Sequence, residues 1–271
     1  MLDVTVHDDV QRLSFSTWRS RRAGYSVSVF AVRGVLIDSA FDDVGPELMA
    51  WIATNPVDGA IITHAHDDHA GNAERLARAG VPLHVAADTE ALMRTPEPRG
   101  LYRRWTWGDK PLLRSVAKPF DHPALNVMPA RGHSHDHHVV WDPDRETLFA
   151  ADLFLSVKVR VAHPIDREDV RMQVDALRAA LTLRPARVFD AHRGLLADGC
   201  GLLRAKTQWM EDTIGRIDRR IDQGWNDRAI MRDVLGGEQL LGYVSFNDYS
   251  RRNFVANVRQ THARLNARAA R

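Results

Sequence analysis

The stretch YSVSVFAV (25–32) alternates along its length and is rich in β-branched residues. That period marks a half-buried strand. Arg33-Gly34 follows, then VLID (35–38), so the segment predicts a β-hairpin. GPELMAWIA (45–53) places Leu48, Trp51 and Ile52 at helical spacing. VDGAIITH (57–64) is a short apolar run, which predicts a buried strand leading straight into His64. GNAERLARAG (71–80) predicts a helix closed by Gly80, and VPLHVA (81–86) the next strand.

Residues 94–123 lose this regularity and carry many prolines, so they predict a long excursion and a candidate lid. Three more strands are expected at LNVMPA (125–130), HVVWD (138–142) and TLFAAD (147–152). DVRMQVDALRAALTL (169–183) sets Val170, Val174, Leu177 and Leu181 on one helical face, and ARVFDAH (186–192) reads as a last strand. Beyond Gly201 the pattern becomes helical. A long amphipathic stretch (202–224) aligns Met210, Ile214, Ile217 and Ile221; 226–237 and 247–271 follow, the last with a basic end. The expected organisation is a strand-rich body over 1–200 and a helical appendage over 201–271.

Composition narrows the class. The 271 residues are 44% hydrophobic and 27% charged, as in a globular protein with a sizeable core. A net charge of +2 does not by itself argue for nucleic acid or a membrane surface. One cysteine, Cys200, leaves no intramolecular disulfide and suits a reducing compartment. The opening MLDVTVHDDVQRLSF has no charged n-region before an apolar run, and no stretch approaches a membrane span. The expectation is a cytoplasmic protein without a membrane segment.

Histidine changes the picture most. Seven of the 13 fall in two clusters, His64, His66 and His69, then His133, His135, His137 and His138. In an extended stretch, positions i and i+2 point the same way, so His64 and His66 can share one metal. A turn then lets Asp68 and His69 face a second point nearby. Imidazole and carboxylate suit zinc, iron or manganese, and no thiolate competes. Further ligands are expected at other strand ends: His133, Asp152 and His192.

These motifs carry a family resemblance. THAHDDHAGN resembles the H-x-H-x-D-H signature of the metallo-β-lactamase-fold hydrolases. GHSHDHHVV, FAADLF and FDAHRG are similar to that family's later motifs, in the same order, over roughly residues 25 to 200. The resemblance implies an α+β fold, a four-layer αββα sandwich with the helical appendage behind it. It implies two divalent metal ions, zinc first, with Mn2+ or Fe2+ as alternatives. His64, His66 and His133 would hold the first, Asp68, His69 and His192 the second, and Asp152 would bridge them. A hydroxide between the metals would attack an ester, thioester, lactone or phosphodiester. Asp68, Asp152 and His135 are the implied catalytic residues. His135 stands where the family often has proline; it could bind substrate or supply a proton, or simply face solvent. Asp67 could orient a neighbouring ligand or face solvent, and Ala151 and Ala191 replace frequent glycines.

The appendage resembles that of the glyoxalase II-like and β-lactamase-like-protein-2 branches. A mononuclear-iron persulfide dioxygenase and an RNA-cutting phosphodiesterase are the alternative readings. The expected partner is a small-molecule substrate, with nucleic acid disfavoured. Tyr102, Trp105 and Trp107 are expected to line a substrate pocket, form a homodimer contact or simply pack.

Overall fold

The computed structural model describes residues 1–98, 100–109, 111–163 and 167–269. Arg99 and Lys110 of the expected excursion, and the end of the basic C-terminus at 270–271, lie outside the described residues.

Six strands form a first sheet in chain order: β1 (Leu2–His7), β2 (Val10–Phe15), β3 (Val27–Val32), β4 (Val35–Ile37), β5 (Gly59–Ile62) and β6 (Leu83–Val85). The first four run antiparallel, and β4, β5 and β6 run parallel. The expected hairpin is β3–β4. Its turn residues Arg33 and Gly34 have φ of 52° and 76°, the left-handed pair that a two-residue hairpin of matching twist requires. A Cβ on Gly34 would come within 2.5 Å of Asp58 Oδ2, so that carboxylate would have to turn aside.

Helices make the connections. α1 (Trp18–Arg22), capped by Thr17, joins β2 to β3. α2 (Gly45–Thr54) crosses from β4 to β5, and α3 (Asp67–Ala70) with α4 (Ala73–Arg78) crosses from β5 to β6. α5 (Ala87–Arg94) and α6 (Leu101–Trp107) follow β6. The second sheet contains β7 (Asn126–Pro129), β8 (His138–Asp142), β9 (Thr147–Phe149), β10 (Arg187–Asp190) and β11 (Gly194–Leu195), in the order β11-β10-β9-β8-β7. Only its β9–β10 pair is parallel.

Alternation along β3 and β4 divides the core in two. Phe30, Val32, Val35 and Ile37 face the second sheet and pack with Val140, Phe149 and Phe189. The rings of Phe30, Phe149 and Phe189 lie 5.3–5.5 Å apart. Val27, Val29 and Leu36 face the other way, onto Leu48, Leu76, Met93 and Trp107 of the helices. At about 1.5–3 kcal/mol per buried large apolar side chain, this double layer supplies the drive that closes the sheets. The result is the α+β sandwich that the family resemblance implies.

By internal contacts the chain divides into two units. Met1–Pro129, Asp136–Leu155 and Pro185–Gly199 form the first, which holds both sheets and α1 to α6. The second comprises Ala130–His135, Ser156–Arg184 and Cys200–Arg271. It is helical: α7 (Val170–Thr182), α8 (Gly199–Asp222), α9 (Asp227–Leu235), α10 (Leu240–Val244) and α11 (Arg251–Ala269). Asp169 caps α7 through its side chain, and Arg171 ties α7 to Asp218 on α8 and Thr261 on α11. Among the described residues no helix is long and apolar enough to cross a membrane.

Several elements were not expected from the pattern, among them β1, β2, α1, α5 and α6. β1 pairs with β2 although four of its six residues are exposed, so it shows no apolar face to read. The excursion over 94–123 contains α6, whose buried residues Arg103, Thr106 and Trp107 follow helical spacing with an arginine in place of an apolar residue.

Candidate metal centre

Four strands end together. β4 leads to Asp38, β5 to His64, β9 to Asp152 and β10 to His192. Backbone hydrogen bonds join the two sheets at this edge, from His138 N to Thr63 O (3.0 Å) and from Ser28 N to Ala191 O (2.7 Å). Parallel strands collect side chains at their C-terminal ends, and both parallel parts of the sandwich do so here.

Beyond β5 the chain carries His64, His66, Asp67, Asp68 and His69, all at least 96% buried. α3 is a single turn that follows directly, and it keeps the His69 ring 4.1 Å from that of His64, beside the His66 ring at 4.4 Å. Asp38 organises the cluster. It accepts hydrogen bonds from Thr63 N (2.8 Å) and Thr63 Oγ1 (2.8 Å), and its Oδ2 lies 2.8 Å from His69 Nδ1. Thr63 Oγ1 in turn sits 3.0 Å from His64 Nδ1. With Nδ1 of His69 donating to Asp38, its Nε2 is left to face the centre. His192 is set the same way: its Nδ1 lies 2.7 Å from Ser26 O.

The free edges converge. His69 Nε2 lies 3.2 Å from Asp152 Oδ1 and 3.8 Å from Asp68 Oδ2. His192 Nε2 lies 3.3 Å from Asp152 Oδ1 and 3.4 Å from Asp68 Oδ2. One ligand atom from each of Asp68, His69, Asp152 and His192 falls within 4.8 Å of the others, and the same holds for His64, His66 and Asp152. Asp152 belongs to both sets. It is held by its backbone N–H, which donates to His137 Nε2 at 3.1 Å.

The electrostatics match a cation site. Burial, reinforced by His69, His66 and His137, pushes the His64 imidazolium well below its ordinary range. Burial also opposes charge on His69 and His192, but the carboxylates outweigh it. Asp152, Asp38 and Asp68 hold His69 well above its ordinary range, and Asp152, Asp68 and Asp190 raise His192 to about 9. Buried carboxylates call for positive charge, and protons or divalent cations can provide it. The donor set of imidazole nitrogen and carboxylate oxygen fits a divalent cation of the zinc, manganese or iron type.

A family model described as the metallo-beta-lactamase superfamily matches residues 22–192. The chain belongs to this superfamily. Solved structures agree in fold. A metallo-beta-lactamase from Pontibacter korlensis is 22% identical, with a TM-score of 0.60 over 78% of this chain and 100% of that one. The DIM-1 metallo-beta-lactamase is 17% identical, with a TM-score of 0.60 over 78% and 97%. The FIM-1 enzyme from Pseudomonas aeruginosa, solved in a mono-zinc form, is 19% identical, with a TM-score of 0.59 over 78% and 95%. No curated protein matches by sequence.

Within this metallo-β-lactamase-superfamily chain, the first unit brings together six of the seven expected ligands: His64, His66, Asp68, His69, Asp152 and His192. The seventh, His133, is half-buried on the β7–β8 connection, in the segment that belongs to the second unit, as does His135. His137 and His138 turn out to be supports. His137 holds Asp152, and His138 Nδ1 lies 2.7 Å from Asp136 O. His84 pairs with Asp121, and His262 lies 3.0 Å from both Asp218 and Asp222, away from the centre in sequence and role. Trp107 packs on Phe41 and 6.0 Å from the His192 ring, while Trp105 meets Trp18 edge to face at the surface.

Sequence reading missed Asp38, Asp136 and Arg103. Asp38 ends a strand, as the ligands do, which was the available signal. Asp136 accepts a hydrogen bond from Ala65 N (2.8 Å), and Arg103 pairs with Asp67 (3.1 Å). Both partnerships span long loops and leave no local pattern.

Proposed function

We propose that this chain is a binuclear metal-dependent hydrolase. Superfamily membership and the His/Asp cluster support metal-dependent hydrolysis in general, and the observation that carries the finer reading is Asp152. Its carboxylate faces His69 and His192 at 3.2 and 3.3 Å and also lies within reach of the His64 and His66 ligand atoms. In this reading His64, His66 and His133 hold one cation, Asp68, His69 and His192 hold the other, and Asp152 serves both. The assignment of His133 rests on the resemblance of GHSHDHHVV to the family's second motif.

Two bound divalent cations, zinc for preference, would supply Lewis acidity toward a carbonyl or phosphoryl oxygen and hydroxide at neutral pH. The protein's own work is orientation. Asp38 and the Ser26 carbonyl each hold an Nδ1 proton, so His69 and His192 present Nε2. Asp68 and Asp152 bring the negative charge and are the assigned bases. His135, two residues beyond His133, is assigned to substrate contact or proton delivery. The substrate class is an ester, thioester, lactone or phosphodiester. The helices beyond residue 200 support the glyoxalase II-like or β-lactamase-like-protein-2-like branch over an antibiotic-degrading enzyme.

Elemental analysis of protein purified without chelator or added metal tests the reading. About two zinc or manganese ions per chain are expected, with turnover lost in Asp68→Ala and His192→Ala. A single iron per chain, with persulfide-dependent oxygen uptake, would replace hydrolysis with the oxygenase reading.

A further inference from the structure

Arg103 projects from α6 into the interior and is only 3% exposed, and its partner Asp67 is 1% exposed. Arg103 Nε donates to Asp67 Oδ2 at 3.1 Å. Its Nη2 lies 4.0 Å from Asp68 Oδ1, too long for a hydrogen bond but close for a charge pair out of water. The other oxygen of Asp68, Oδ2, is the one that faces His69 Nε2 and His192 Nε2. One guanidinium thus addresses two consecutive carboxylates of α3, and the second of them stands in the candidate metal centre.

We propose that Arg103 is a positioning residue for the second cation: it holds Asp68 with Oδ2 turned toward His69 and His192, and so fastens α6 to the metal-binding turn. The inference rests on the binuclear reading above. Two features separate it from ordinary packing. A buried ion pair adds little stability over an apolar pair of the same volume, so stability alone is a weak reason for one here. The fork of an arginine also serves two carboxylates at a fixed spacing, whereas a lysine ammonium is a point charge with rotating donors and fixes no such geometry. Groups that orient a metal ligand typically change affinity by about 10–100-fold when altered.

The test is zinc uptake, read by competition with a chromogenic chelator, in metal-free wild type and Arg103→Lys. Wild type is expected to take up two zinc ions. Arg103→Lys is expected to keep the first step and lose roughly 10-fold or more on the second. Thermal unfolding of the metal-free proteins runs alongside. If Arg103→Lys unfolds earlier while both zinc steps stay at wild-type strength, the pair is structural and the proposal is overturned. Should that variant misfold, the double variant Arg103→Met/Asp67→Asn leaves no charge buried alone and is expected to show the same selective loss; unchanged zinc steps there overturn the proposal equally. Uptake of one zinc by wild type overturns the binuclear reading itself, a separate outcome from a variant that matches a two-zinc wild type.

Discussion

Asp38 shows how one residue sets the chemistry of its neighbours. Its φ of 68° lies in the left-handed region, which asparagine enters as readily as aspartate does. Asp38→Asn therefore changes the side chain without straining the backbone. The amide would either point its NH2 at His69 Nδ1, forcing the proton onto Nε2, or turn it toward the Thr63 N–H and lose that hydrogen bond. Both choices remove the carboxylate charge behind His69, and the first also takes its Nε2 lone pair, so His69 is weakened as a ligand. Zinc affinity of the second step is expected to fall by about 10–100-fold, measured by chelator competition, with the fold retained in circular dichroism. The ligands themselves were legible because their type and spacing are local. His64, His66, Asp68 and His69 fall in one strand-to-turn segment, and Asp152 and His192 each end a strand. Asp38 acts on a residue 31 positions away, and only the β4–β5 pairing makes that distance short. Arg103 is harder still, since Arg104 beside it is exposed and nothing but helix phase distinguishes the two.

Among elements, those with one clear apolar face were the most legible. α2, α7 and α8 have the places their periodicity predicts, because each packs one face into a core, while β3 and β4 are buried on both faces and were legible as β-branched runs around a hairpin turn. β1 offers no such face, and α6 puts Arg103 on its buried side, where a polarity pattern reads surface. The connection between β7 and β8 depends on a different constraint. Gly132 has φ of 133°, donates its N–H to Ser134 O, and accepts from Asp169 N at the start of α7. A Cβ there would come within 2.2 Å of Gln173 N, a backbone atom that cannot step aside. Gly132→Ala is expected to destabilise the chain by roughly 1–3 kcal/mol from backbone strain alone, read as a lower urea midpoint. It should also shift the adjacent His133 and weaken zinc uptake. A variant with the wild-type midpoint would show that the loop adapts without cost.

For the whole molecule, protons and cations compete for one buried set of carboxylates. In the metal-free chain His192 is raised to about 9, against about 6.5 when unfolded. Its contribution to stability is therefore fully present below about pH 6.5 and is lost as pH rises toward 9. His69 is raised in the same direction by Asp152, Asp38 and Asp68 against its burial. Bound cations need both imidazoles neutral, so loading at pH 7 must expel their protons. Zinc binding is expected to release one to two protons per chain at pH 7, with apparent affinity rising over pH 6–8 and flattening near 9. Calorimetry in buffers of different ionisation enthalpy counts the protons. Loading also binds the folded state alone, so it should raise the melting temperature, and the gain should grow from pH 6 to 8 as the metal-free reference loses its own support. Zinc binding without proton release at pH 7 would mean that the carboxylates do not hold these histidines charged.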